Sequence, residues 1–361
     1  MRNVTMNNRI IAWLRLSLIT TKIMTTIAIN GFGRIGRSFF REAFGLPEFN
    51  IVAINDLTDT ATLAYLLKYD SVYRRYNKQV ESGDGVLRVD GKEIKVFAQK
   101  DPSTLPWKDL GIDIVIEATG FFADGEKASV HLAAGAKRVV ITAPAKGDVT
   151  TALIGVNDDR FAMPKPITCN ASCTTNSVAP VMAILHEAYG IQKASMTTVH
   201  SYTATQKVVD GPDSKDLRRG RAAAVNIVPS STGAAEAVVQ VIPELKGKFD
   251  AVSVRVPSIT GSLSVITALV NKPTTVEELN ALFMNAQKSP RWSKILHVTK
   301  DEIVSSDIIG EPYGAIVDSL LTKVTDSNLV TVFSWYDNEY GYTAMLVEHV
   351  RRIAQFFIKS Q

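Results

Sequence analysis

Cysteine is scarce: Cys169 and Cys173 are the two in 361 residues. Two cysteines four positions apart exclude a disulfide framework. That usage fits a reducing, cytosolic compartment. No run of about 18 uncharged apolar residues occurs, which excludes a transmembrane helix. Acidic residues are missing from the start of the chain, where the first is Glu42. Internal repeats and low-complexity linkers are absent. Charge of one sign is also lacking: 40 Lys plus Arg against 36 Asp plus Glu leave +4. So small a surplus does not by itself imply a nucleic-acid partner. What is present, 46% hydrophobic and 21% charged residues, excludes wholesale disorder. The length suggests two domains. No metal site is expected.

Residues 1–24 carry Arg2, Arg9, Arg15 and Lys22 and no acid. A basic, acid-free start can be a targeting segment. Arg15 interrupts its apolar run, and no small-x-small cleavage site follows. Met24 leads directly into the strand-like TTIAIN. The segment reads as an extension outside the fold, with a transit or signal role as the alternative.

Thr26–Asn30 has the short, apolar, β-branched character of a buried parallel strand. It runs into Gly31-Phe-Gly33-Arg34-Ile35-Gly36. A helix pattern follows, with Ile35, Phe39, Phe40 and Ala43 on one face. The first glycine permits a tight turn, the second lets a pyrophosphate approach the backbone, and the third lets helix pack on strand. Amides at the helix start then face the phosphates. A second strand over 50–55 ends at Asp56, 20 residues after Gly36. A carboxylate there suits the ribose hydroxyls of NAD and repels the 2′-phosphate of NADP; helix capping is the plainer alternative. Further strands over 112–116 and 138–142 place Thr119 and Thr142 at carboxyl ends, where ligands sit in open α/β sheets. Residues 80–97 read as a two-stranded insertion turning at Asp90-Gly91.

Thr168-Cys-Asn-Ala-Ser-Cys-Thr-Thr-Asn176 precedes a helix pattern that Gly190 stops. Pro180 is tolerable if it falls in the first turn. Cys173 then sits at a helix N-terminus, which lowers a thiol pKa below its free value of about 8.5. Cys169, toward the end of an apolar strand, reads as an inert core residue. The strand over 194–200 puts Met196, Thr198 and His200 on one face. His200 at its end would raise the thiolate fraction and shuttle protons. His131, His186 and His349 fall in helical patterns and read as surface or packing residues.

These segments, INGFGRIGR at 29–37, NASCTTN at 170–176, TTVHSYTATQ at 197–206, RRGRAAAVNIVPSSTGAA at 218–235 and WYDNEYGY at 335–342, together resemble phosphorylating glyceraldehyde-3-phosphate dehydrogenases. The resemblance spans roughly residues 24–350. It implies Cys173 as nucleophile and His200 as its base. It also implies NAD as cofactor, glyceraldehyde 3-phosphate and inorganic phosphate as substrates, and a cytoplasmic homotetramer. The implied fold is a Rossmann-type doubly wound dinucleotide-binding domain (25–172) plus an α+β catalytic domain with a mostly antiparallel sheet (173–337). A last helix, from about 344 to 358 within 338–361, would return to the first domain.

By the same resemblance, Gly31, Gly33, Arg34, Ile35, Gly36, Asp56, Lys100, Thr119, Thr142 and Asn338 bind the cofactor. Thr203 and Arg255 take the substrate phosphate. Ser172, Thr174, Arg219, Thr232 and Gly233 serve the attacking phosphate. From the residues alone, Lys215, Arg218, Arg219 and Arg221 form a basic cluster that can equally be a solvated loop. Pro229–Ala235 can cap a helix as well as hold an anion. Arg255 is a cation among β-branched residues and needs an anionic partner. In the run 333–342, Phe333 and Trp335 read as core. Two departures stand out: Ser177 where the family usually has a second cysteine, and the segment Val256–Leu263. Erythrose-4-phosphate dehydrogenase is the nearest alternative, and a catalytically idle binding protein a more distant one.

Overall fold

The computed structural model describes residues 24–214 and 216–359. The extension before Met24 and Lys215 of the basic cluster lie outside the described residues. The first sheet holds β1 (Thr25–Asn30), β2 (Phe49–Asn55), β3 (Val80–Gly83), β4 (Val86–Val89), β5 (Lys92–Phe97), β6 (Ile114–Glu117), β7 (Arg138–Ile141), β8 (Thr150–Thr151) and β9 (Ile167–Cys169). Their spatial order is β3-β4-β5-β2-β1-β6-β7-β9-β8. The pairs from β5 to β8 are parallel. Ile27 and Ile29 enter one apolar cluster and Ala28 the other. Both faces are therefore covered, as a parallel sheet requires.

The insertion over 80–97 has three strands. A second turn at Gly85 (φ +63°) separates β3 from β4, and β5 pairs in parallel with β2. Its last strand thus belongs to the main sheet; the hairpin turn at Asp90-Gly91 is where the sequence places it.

The second sheet holds β10 (Ile191–Ser201), β11 (Val228–Ser230), β12 (Phe249–Val256), β13 (Ser262–Val270), β14 (Leu296–Thr299), β15 (Ala315–Asp318), β16 (Lys323–Thr325) and β17 (Leu329–Tyr336). Its order is β11-β12-β10-β13-β17-β15-β14, with β16 on β17. It is mostly antiparallel, the exceptions being β10 with β12 and β14 with β15.

Helix α1 (Arg34–Ala43) follows β1, and α2 (Cys173–Tyr189) leaves β9 to pack on the second sheet. Gly190 ends α2 at φ +70°. Pro180 is the eighth residue of α2, not in its first turn. Its missing N–H releases the carbonyl of Asn176, against which Gly314 packs: a Cβ there would lie 3.0 Å from that oxygen. A third helix, α3 (Ala234–Val241), follows β11. The last, α4 (Tyr340–Lys359), begins four residues earlier than the sequence suggests. It returns to the first domain, adding Leu346, Val347, Val350 and Ile353 to the cluster that holds Ile27 and Phe39.

Candidate active site

Between β9 and α2 the chain turns sharply. Ala171 adopts φ +50° while fully buried, a conformation that costs a non-glycine residue about 1–2 kcal/mol. The turn makes Ser172 the N-cap. Its hydroxyl accepts from Thr175 N (3.1 Å), and Asn176 Nδ2 ties back to the carbonyls of Asn170 and Ser172 (2.8 and 3.0 Å). Cys173 is therefore the first residue of α2 and is half-buried. Nothing in the sequence announced the strained alanine, because φ > 0 is unusual for it.

His200 reaches the thiol from β10. Its Nε2 lies 3.5 Å from Cys173 Sγ. The β10–β12 register sets His200 beside Arg255, and Arg255 Nη1 comes within 2.7 Å of His200 Nδ1 and 3.0 Å of the Ser201 carbonyl. Nδ1 also lies 2.7 Å from that carbonyl. It can donate to Ser201 or accept from Arg255, not both. Donation to Ser201 leaves Nε2 free to take the thiol proton; that arrangement needs the guanidinium drawn elsewhere. No carboxylate pairs with Arg255 among the described residues, and its Nε is buried without a partner.

Burial pushes the Cys173 thiol up, against the pull of Arg255 and of donors on Thr174. The sequence expectation of a lowered thiol rested on the helix start alone; burial outweighs it here. Burial, and then Arg255, push His200 down to about 3. Each group resists being charged alone. A proton passed from Sγ to Nε2 makes both charges together and in contact, and the proton belongs to the pair.

Below the pair sits Tyr336, which the sequence reading passed over. Its hydroxyl meets Thr174 Oγ1 (3.0 Å) and Thr198 Oγ1 (2.7 Å), and its ring lies edge-on to His200 at 5.9 Å. On β17 the buried face is Val330, Val332, Ser334 and Tyr336. Phe333 and Trp335 are only half-buried on the opposite face, so the core reading of those two is corrected. Ser177 Oγ meets Ser334 Oγ at 2.9 Å under the same site.

A cavity of about 520 Å³ lies at the carboxyl ends of β1, β2 and β6. Gly31, Gly33, Asp56, Lys100 and Thr119 line it, with Asn30, Gln99 and Phe122. Asp56 accepts Phe32 N (2.7 Å) and so braces the glycine turn. A Cβ at Gly36 would meet the Gly31 carbonyl at 2.1 Å, so the third glycine is a packing necessity. Ile35 and Thr142 do not line the cavity; the Thr142 hydroxyl meets the Glu117 carbonyl. Arg34 turns away from it to Asp70 and to both carboxylate oxygens of Glu339. The structure therefore does not bring these three positions into the cavity. The glycine cradle, the carboxylate at the ribose position and the pocket fit a dinucleotide.

Asn338 lies beside the end of β10, next to His200. Its Oδ1 accepts Ser201 Oγ (2.9 Å), Gly261 N (3.1 Å) and Ser262 Oγ (3.1 Å). The Gly261 N–H can only donate, which fixes the amide and leaves Nδ2 as the group offered outward. The atypical segment 256–263 thus supplies two of the three donors.

Of the basic cluster, Arg221 is paired with Asp210 and Arg218 is exposed. Arg219 has a buried, unpartnered Nε. The Thr232 hydroxyl accepts Ala234 N at 3.2 Å and so caps α3, which follows Gly233. Thr203 Oγ1 meets Thr205 Oγ1 at 3.0 Å.

Residues 172–338 match the family model of the glyceraldehyde 3-phosphate dehydrogenase C-terminal domain, and residues 25–125 that of its NAD binding domain. A glyceraldehyde-3-phosphate dehydrogenase of Thermotoga maritima is 57% identical over 327 residues, covering 90% of this chain and 98% of the relative. Those of Borreliella burgdorferi and Clostridium pasteurianum are 50% and 49% identical, over 91% and 93% of this chain and 99% of each relative.

Proposed function

Because the chain belongs to the glyceraldehyde-3-phosphate dehydrogenase family, whose reaction is the NAD-dependent oxidation of glyceraldehyde 3-phosphate, we propose that Cys173 and His200 carry that oxidation and that inorganic phosphate collects the acyl group. The carrying observation is the 3.5 Å approach of Sγ to Nε2 at the first residue of α2.

The Cys173 thiolate adds to the aldehyde carbon, and the resulting oxyanion takes the proton that His200 Nε2 had received from the thiol, forming a hemithioacetal. Its oxygen is held by the Cys173 N–H and by His200 Nε2. His200 takes the hydroxyl proton as the carbon gives up hydride, and the carbon becomes a thioester carbonyl. Bound NAD supplies the hydride acceptor. Asn338 Nδ2 suits the carboxamide oxygen of its nicotinamide, and Asp56 its ribose hydroxyls. Phosphate oxygen then attacks the thioester, and the Cys173 thiolate leaves.

Arg255 and Thr203 hold the substrate phosphate; the unpartnered Arg255 Nε marks a cation waiting for an anion. Drawing Arg255 onto that phosphate also frees His200 Nδ1 for Ser201. Arg219, Thr232, Gly233, Ser172 and Thr174 serve the attacking phosphate, with the orphaned Arg219 Nε in support. A cytoplasmic homotetramer completes the reading. Exposed Val252, Leu320 and Leu329 are surface that other copies would cover. Erythrose 4-phosphate is not the favoured substrate.

The deciding assay is NADH formation from glyceraldehyde 3-phosphate, with phosphate omitted, NADP substituted, or erythrose 4-phosphate offered instead. Cys173→Ser should abolish turnover, since a hydroxyl at neutral pH is a far weaker nucleophile. Undiminished activity in that variant refutes the assignment.

A further inference from the structure

Two residues that line the dinucleotide cavity, Asn30 and Thr119, are bonded to a carboxylate that no step above uses. Glu117, the last residue of β6, is 1% exposed. Four donors converge on it. Thr119 N (2.8 Å) and the Thr119 hydroxyl reach Oε1. Asn30 Nδ2 (2.6 Å) and His131 Nε2 (3.0 Å) reach Oε2.

Trp107 settles which ring nitrogen of His131 carries its hydrogen. Indole Nε1 can only donate, and it lies 3.1 Å from His131 Nδ1. Nδ1 therefore accepts, Nε2 bears the proton, and that proton points at Glu117. An imidazolium would set two donors face to face. The carboxylate thus rests on neutral donors.

The same network reaches the cavity walls. Asn30, Gly31 and Thr119 line the cavity. Gly31 (φ +90°) packs on the peptide that Glu117 holds: a Cβ there would lie 2.7 Å from Thr119 N. Asn30 Oδ1 accepts Asn55 Nδ2 (2.7 Å), and Asn55 Oδ1 accepts Gln99 N (2.8 Å). The carboxyl ends of β5, β2, β1 and β6, adjacent in the sheet, are joined by one series of side-chain bonds that ends on this buried acid.

We propose that Glu117, with His131 oriented by Trp107, is a positioning residue that sets the walls of the dinucleotide cavity and through them the affinity for NAD. The proposal rests on the reading of this cavity as the NAD site. Glu117→Gln keeps the shape but turns one acceptor oxygen into a donor facing donors. Calorimetric titration of this variant with NAD should show Kd raised about tenfold, the consequence of one or two unsatisfied buried donors. Turnover at saturating NAD, the KM for glyceraldehyde 3-phosphate and Cys173 alkylation should stay within about twofold, since none involves these walls.

Trp107→Phe removes the constraint on His131. Nitrogen NMR of the NAD-free protein should then show both His131 tautomers where the parent shows one, with NAD binding weakened about threefold. Thr119→Ala separates the two readings. Weaker NAD binding there with unchanged binding in Glu117→Gln overturns the positioning role alone. Unchanged binding in both overturns the cavity reading too. Should Glu117→Gln not fold, unchanged NAD affinity in Trp107→Phe despite mixed His131 tautomers overturns the proposal.

Discussion

At the scale of single residues the proposed chemistry turns on one proton shared between Sγ and Nε2. Remove the imidazole and the thiol keeps only burial, which raises its pKa, and the weaker pull of Arg255 and Thr174. His200→Asn should therefore slow alkylation of Cys173 by iodoacetamide at pH 7 by about tenfold or more, with the rate recovering as pH rises past the ordinary thiol range. Stopped-time alkylation from pH 6 to 10 checks this; superimposable profiles for variant and parent would remove His200 from thiol activation. The places of both residues, one at a helix start and one near a strand end, were legible in the sequence. Tyr336 was not. It sits on the strand face that carries Ser334, and the sequence places bulkier Phe333 and Trp335 on the other face, so hydrophobicity alone points to the wrong side.

At the scale of elements, strands and helices followed from period and punctuation: β1 into the glycine turn, Cys173 at the start of α2, Gly190 ending it. What stayed hidden was conformation that the residue type does not advertise. Ala171 at φ +50° is the clearest case, for glycine or asparagine would have signalled a turn. Its methyl packs among Val178 and Met182. Replacing it with glycine relieves the strain of about 1–2 kcal/mol but forfeits a buried methyl, about 0.8 kcal/mol, and chain entropy of about 0.5–1 kcal/mol. These offset, so Ala171→Gly should leave the Tm within about 3 °C of the parent. Ala171→Val puts a β-branched side chain in the same conformation within a filled core and should cost about 2 kcal/mol or more. Calorimetry on the two variants tests the account. Equal tolerance of glycine and valine would mean that the turn relaxes to φ < 0.

At the scale of the whole molecule, α4 closes the chain back onto the first domain, and His349 is its buried link. Nε2 meets Thr168 Oγ1 at 2.8 Å and Nδ1 meets the Ala152 carbonyl at 3.1 Å. A carbonyl facing Nδ1 requires the hydrogen there, and with the ring kept neutral by burial Nε2 accepts from the threonine. Burial pushes its pKa down to about 4 from 6.5. The sign follows from proton counts. Below pH 6.5 the unfolded chain binds a proton at this position while the folded chain does not, so stability falls with falling pH until about pH 4. The full difference is on the order of 3 kcal/mol. His200 has the same sign. Glu42 and Asp337, whose acids burial raises, take up protons in the folded state and oppose the trend. The total slope is therefore a poor test and the difference between variants a good one. His349→Gln keeps a donor and an acceptor but cannot titrate. In urea unfolding at fixed protein concentration, its stability relative to the parent should improve steadily from pH 7 to pH 4.5. A difference independent of pH would mean that His349 is protonated in the folded protein, and the neutral link between α4 and β9 would have to be abandoned.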